Sequence, residues 1–195
     1  MTDDALMTAV RSGDLAKLGI LFERYHLPLF DFLSRVTGDR TAAEDLVQDI
    51  FVRVLKYRAT YRDGGNFETW VFRIARNARA DYFRQRPPLD ALDEDVFERP
   101  EPQAGPARRL EAARERTRLR RALLQLREDK RELLVLARYR DMKYEQIADI
   151  LGIEVGAVKV RVHRALRELR EIFLQLRDEN PSWTANTSSR TFQII

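Results

Sequence analysis

Five of the chain's seven prolines fall within residues 87–106, PPLDALDEDVFERPEPQAGP, together with six acids and a single arginine. Proline fixes φ and has no backbone N–H to donate, so a stretch this dense in it cannot continue a helix. Folding is therefore confined to either side. The pattern predicts two units, residues 1–86 and 107–177, joined by an extended acidic linker over 87–106, with a short polar tail over 178–195. The linker carries −5 in a chain of net charge +4, which leaves +9 on the rest. That excess points the folded parts toward phosphates.

Neither unit shows β-type alternation of useful length, and there is no internal repeat. Helical spacing recurs instead. Leu15, Leu18, Ile20, Leu21 and Phe22 predict an amphipathic helix over 14–25, after which Pro28 interrupts it or starts the next, and the apolar run 29–36 ends at Gly38. Thr41 followed by Glu44 is a capping-box pattern expected to start the helix AAEDLVQDIFVRVLKY, whose buried face is Leu46, Val47, Ile50, Phe51, Val54 and Leu55. A polar turn, RDGGN at 62–66, leads into a helix over 67–86, and a strongly charged helix over 107–127 opens the second unit. The fold class expected is all-α, as two small helical domains.

Composition excludes several functions. With 195 residues and 44% hydrophobic content the chain can build cores, yet no apolar run approaches the ~20 residues that span a bilayer. No signal-type start is present either, so the expectation is a cytosolic protein without membrane insertion. Zero cysteines exclude disulfides and thiolate metal sites, and His26 and His163 are the only histidines. The carboxylates Glu44, Asp45 and Asp49 on one helix are the best remaining metal candidates. Acid-bearing helix faces are common and no histidine is near, so no metal, cofactor or enzymatic activity is expected.

Two stretches carry a positive reading. In 144–170, YEQIADILGIEVGAVKVRVHRALRELR, Gly152 lets the chain reverse between two helices. Val158, Val162, Ala165, Leu166 and Leu169 form an apolar stripe, and Lys159, Arg161, Arg164, Arg167 and Arg170 lie off it. The small pair Gly156 and Ala157 is expected where the second helix passes close to the first. This is the outline of a helix-turn-helix whose second helix can enter a major groove, against the alternative of a helical hairpin with a solvated basic face. The helix FETWVFRIARNARADYFRQR at 67–86 combines aromatics with arginines, as stacked single-stranded bases require, although Trp70 and Phe83 also suit a core.

Taken with AAEDLVQDIFVRVLK at 42–56, these stretches resemble, in order and over residues 14–176, the short extracytoplasmic-function sigma factors of the sigma-70 superfamily. The resemblance implies a non-catalytic initiation factor that binds core RNA polymerase and promoter DNA. It implies polymerase contacts at Asp45, Gln48, Asp49 and Arg53. It also implies a pocket for a flipped minus-10 base at Tyr61, Ile74 and Asn77, with Arg76 and Arg79 on neighbouring phosphates, and minus-35 contacts from Lys159, Arg161 and Arg164. Val160 stands where relatives often have Ser, exchanging a polar contact for an apolar one. Family members are commonly held inactive by an anti-sigma factor, although no residue identifies one. The rival reading is a stand-alone helix-turn-helix regulator with an N-terminal sensor or dimerisation domain.

Overall fold

The computed structural model describes residues 1–85 and 106–178, and among these every regular element is helical. Apart from Pro106, which opens the helix expected from 107, and Asp178, which closes the last helix, the linker and tail expectations lie outside the described residues. Helix α1 (Asp3–Arg11), which the sequence reading does not anticipate, starts at Thr2, whose Oγ1 accepts from the Ala5 N–H at 3.3 Å. Its buried face is Leu6, Met7 and Val10.

Helix α2 (Ala16–Thr37) runs straight through Pro28, so the expected break is absent. A mid-helix proline costs ~3 kcal/mol, whereas each large apolar side chain buried returns ~1.5–3 kcal/mol. Leu21, Tyr25, Leu29, Phe32, Leu33 and Val36 are all buried on one face, and together they outweigh the lost hydrogen bond. Gly38 stops the helix in the left-handed region at φ 77°.

Helix α3 (Arg40–Tyr57) begins two residues earlier than the capping box at Thr41 and Glu44 suggests. Asp39 is its cap, with Oδ1 accepting from the Ala42 N–H at 2.9 Å. A carboxylate there satisfies an orphan donor and favours the helix N-terminus, so the earlier start wins. After a single 3-10 turn at Arg58–Thr60, helix α4 (Phe67–Gln85) starts behind Asn66, whose Oδ1 accepts from the Thr69 N–H at 2.8 Å.

The second unit comprises α5 (Pro106–Gln125), α6 (Glu128–Leu134), α7 (Tyr144–Leu151) and α8 (Val155–Asp178). A π-type turn, Val135–Tyr139, widens the end of α6. Between α7 and α8, Gly152 adopts φ 67° and donates its N–H to the Ala148 carbonyl, which makes the tight reversal. Gly156 does not serve close approach: a methyl built there would meet nothing within 4 Å. The helices are instead sealed by Ile147, Ala148, Val158 and Val162, all buried.

The two units share one continuous apolar core rather than standing apart. Arg131 of α6 donates to the Val36 carbonyl at 2.7 Å, and the Arg35 guanidinium lies 4.1 Å from the centre of the Tyr139 ring. This seam places α7 against α4, the arrangement on which the site depends.

Candidate nucleic-acid interface

Helical periodicity along α4 sets the site. Phe67, Val71, Phe72, Ala75 and Ala78 face inward, which turns Trp70, Arg73, Ile74 and Asn77 along the opposite flank. That flank, the 3-10 turn and the 62–66 turn enclose a cavity of about 620 Å³ whose walls include Tyr61, Ile74 and Asn77. The three residues assigned to a base pocket are thus side by side. Tyr61 is buried beneath the cavity with its ring edge against Trp70, centroids 5.3 Å apart. Its hydroxyl donates to Asp4 Oδ1 at 2.6 Å, and burial followed by this hydrogen bond pushes the phenol far above its ordinary range. Tyr61 is therefore a neutral wall at any working pH.

Helix α1 locks the loop that carries Tyr61. Asp4 Oδ1 also accepts the Phe67 N–H at 2.8 Å, while Arg11 donates to the Tyr61 carbonyl at 2.8 Å and to both Asp63 oxygens at 2.6 and 2.7 Å. The Arg11 hydrogen bond holds the Asp63 carboxyl below its usual value. One wall of the cavity is thus positioned by an element some sixty residues away in sequence.

Arg76 and Arg79 occupy the next turns of α4, and both reach acids of the second unit. Arg76 Nε is 3.5 Å from Glu132 Oε2, Arg79 Nη2 is 3.6 Å from the same oxygen, and Arg79 Nη1 pairs with Glu128. Arg79 is only 5% exposed. Arg73 pairs with Asp149 of α7 at 2.5 Å, and both residues line the cavity.

On α3, Asp45 and Gln48 are exposed, and Val52 beside them is 64% exposed, a large apolar side chain left uncovered. Arg53 is less available. Its Nε donates to Asp49 at 2.8 Å and its Nη1 to Asp81 of α4 at 2.7 Å, so it ties two helices together. On α8, Lys159, Arg161 and Arg164 are exposed on the side opposite buried Val158, Val162 and Ala165, with Val160 half-exposed among them. None of the three lines the α4 cavity. No group of three metal-ligating side chains comes together among the described residues.

Sequence reasoning missed Trp70 and Arg73 as cavity residues, although their spacing of four and three from Ile74 and Trp70 respectively marks the same helix flank. Asp4 and Asp149 gave no such signal. Each acts across a long stretch of chain.

Comparison with known proteins gives two family-model matches, Sigma-70 region 2 over residues 21–87 and Sigma-70, region 4 over residues 116–169. The RNA polymerase sigma factor CarQ of Myxococcus xanthus is 33% identical over 173 residues, covering 87% of this chain and 97% of CarQ. The ECF RNA polymerase sigma factor RpoE of Cereibacter sphaeroides is 32% identical, with 86% and 92% covered. Among solved structures, CnrH in complex with the cytosolic domain of CnrY superposes with a TM-score of 0.66 at 28% identity, over 91% of this chain and 98% of CnrH. RpoE of Bartonella quintana, crystallised with the anti-sigma factor NepR, shares the fold with a TM-score of 0.63 at 24% identity, over 80% of this chain and 96% of that one.

Proposed function

This chain belongs to the extracytoplasmic-function branch of the sigma-70 family, and from that premise we propose which of its surfaces serve each step of promoter use. It is an RNA polymerase sigma factor and not an enzyme: it binds core polymerase and directs initiation at particular promoters, in place of acting as a stand-alone regulator. We place it in the cytosol, where core polymerase works; among the described residues no helix is long and apolar enough to cross a membrane. Two solved relatives were captured with partner proteins, one of them named an anti-sigma factor, and an inhibitor of that kind is proposed for this chain too.

Minus-10 capture is assigned to the α4 cavity. Its volume of about 620 Å³ is ample for one base, within the ~300–1,000 Å³ of ordinary small-ligand sites. Tyr61, Trp70 and Ile74 supply apolar and aromatic walls. The Asn77 amide both donates and accepts, as recognition of a flipped base's edge requires. Arg73, Arg76 and Arg79 are spaced along the same helix to meet successive phosphates. The observation that carries this assignment is the convergence of Tyr61, Ile74 and Asn77 on one cavity.

Minus-35 reading is assigned to the exposed face of α8 through Lys159, Arg161 and Arg164, with Val160 against a thymine methyl. The polymerase face is assigned to α3. Asp45, Gln48 and Asp49 offer charge-assisted contacts around exposed Val52, and Arg53 steadies that face through its tie to Asp81.

Reconstitution with core polymerase on a library of genomic promoter fragments tests the whole. Run-off transcripts from a defined promoter set are expected only when the protein is added. Asn77→Ala should then slow promoter opening about tenfold, the effect of one lost base-edge hydrogen bond, while polymerase binding is unchanged. Unchanged opening by that variant would remove Asn77 from the pocket.

A further inference from the structure

We propose that the chain occludes itself: Glu128 and Asp149 of the second unit stand on Arg79 and Arg73 as internal substitutes for DNA phosphates, so unpaired promoter bases reach the α4 cavity only after the units part. The proposal rests on assigning α4 and its cavity to minus-10 DNA.

Three arginines on one flank of α4 each meet an acid from the other half of the chain. Arg73 pairs with Asp149 at 2.5 Å, Arg79 with Glu128, and Arg76 and Arg79 with Glu132 at 3.5 and 3.6 Å. Asp149 also forms part of the cavity wall, so an incoming phosphate and this carboxylate compete for one guanidinium. A guanidinium fork cannot serve both fully. Repulsion adds to the exclusion, because a nucleic acid strand laid along α4 would bring its own negative charge against the exposed carboxylates of Glu128 and Asp149.

The competition favours the closed arrangement because it is intramolecular. Acids tethered in the same chain act at an effective concentration on the order of millimolar, far above that of any one promoter site. The seam is further held by Arg140 on Glu68 at 3.0 Å and by the Arg131 hydrogen bond to the Val36 carbonyl. By contrast, Lys159, Arg161 and Arg164 lie on exposed α8 positions, so duplex contact stays open while the cavity is closed.

Two variants test this. The side chains of Glu128 and Asp149 are 65% and 60% exposed, so the pair Glu128→Gln and Asp149→Asn removes the internal anions without disturbing a core. Binding of a fluorescein-labelled single-stranded DNA of random sequence, read by anisotropy, should tighten about 2- to 10-fold, the range expected from two partly exposed ion pairs. In the opposite direction, Glu68→Cys with Arg140→Cys in this cysteine-free chain allows the seam to be bridged by a short, reducible bis-methanethiosulfonate. The bridged chain should still bind duplex DNA but lose single-strand binding and promoter opening with core polymerase, and reductant should restore both.

Opening by the bridged chain at the wild-type rate, or single-strand affinity unchanged in the neutral pair, would overturn self-occlusion and leave the initiation role intact. Wild-type protein inert with core polymerase on every promoter would instead overturn the initiation role, and the occlusion with it.

Discussion

Glu132 is the residue where burial and pairing disagree. It is 3% exposed, its Oε1 has no hydrogen-bond partner among the described residues, and its contacts to Arg76 and Arg79 are long at 3.5 and 3.6 Å. Desolvation therefore outweighs the attraction of Arg79 and then Arg76, and the carboxyl titrates above its ordinary range. A raised acid binds its proton more tightly in the folded chain. Its contribution to stability is full below the unfolded value of ~4.3 and is lost as pH rises through the folded one. Asp81 has the opposite sign: the Arg53 hydrogen bond lowers it, so its contribution is present above ~3.9 and lost as pH falls through the folded value. Glu132→Gln should accordingly leave the melting temperature at pH 7 unchanged or higher, because Arg79 keeps Glu128, and should flatten the slope just above pH 4. Thermal denaturation between pH 4 and 8 checks this, and a fall of several degrees at pH 7 would mean that the ion pairs dominate.

At the level of elements, α1 is a clamp on the loop that forms the cavity. Asp4 alone accepts from the Tyr61 hydroxyl and the Phe67 N–H, at 2.6 and 2.8 Å. Asp4→Ala leaves both donors without that partner and should cost about 2–4 kcal/mol by the usual worth of charged hydrogen bonds. Urea unfolding gives the magnitude, and faster amide exchange confined to residues 61–67 would locate it. The helices α3, α4, α7 and α8 were readable from apolar spacing because each buries one face at helical period, whichever element covers it. The grouping of Tyr61, Ile74 and Asn77 came from the family resemblance and not from spacing. What could not be read was decided by competition or distance. Asp39 outbid Thr41 as a cap, core contacts along α2 overrode Pro28, and Asp4 reaches its partners across nearly sixty residues.

Across the whole molecule, the acidic, proline-rich linker suggests two independent units, yet the core passes between them without a break. Local pattern carries no information about such a seam, since Arg73 and Asp149 look equally like solvated helix residues until the fold brings them together. Gly38 offers a way to strain the seam from one side. Its φ of 77° already disfavours a side chain, and a Cβ would lie 2.9 Å from Leu124 Cδ2 of α5. Gly38→Ala should cost about 1–2 kcal/mol from the left-handed backbone alone. If that were all, only the unfolding midpoint would move. Because Leu124 must also shift, the units should separate more readily, and single-strand binding should tighten in the same variant although α4 and its cavity are untouched. Denaturant unfolding and anisotropy on one preparation separate the two effects: lower stability with unchanged DNA affinity would confine the strain to the end of α2, whereas both changes together would place Gly38 at the contact that keeps the halves closed.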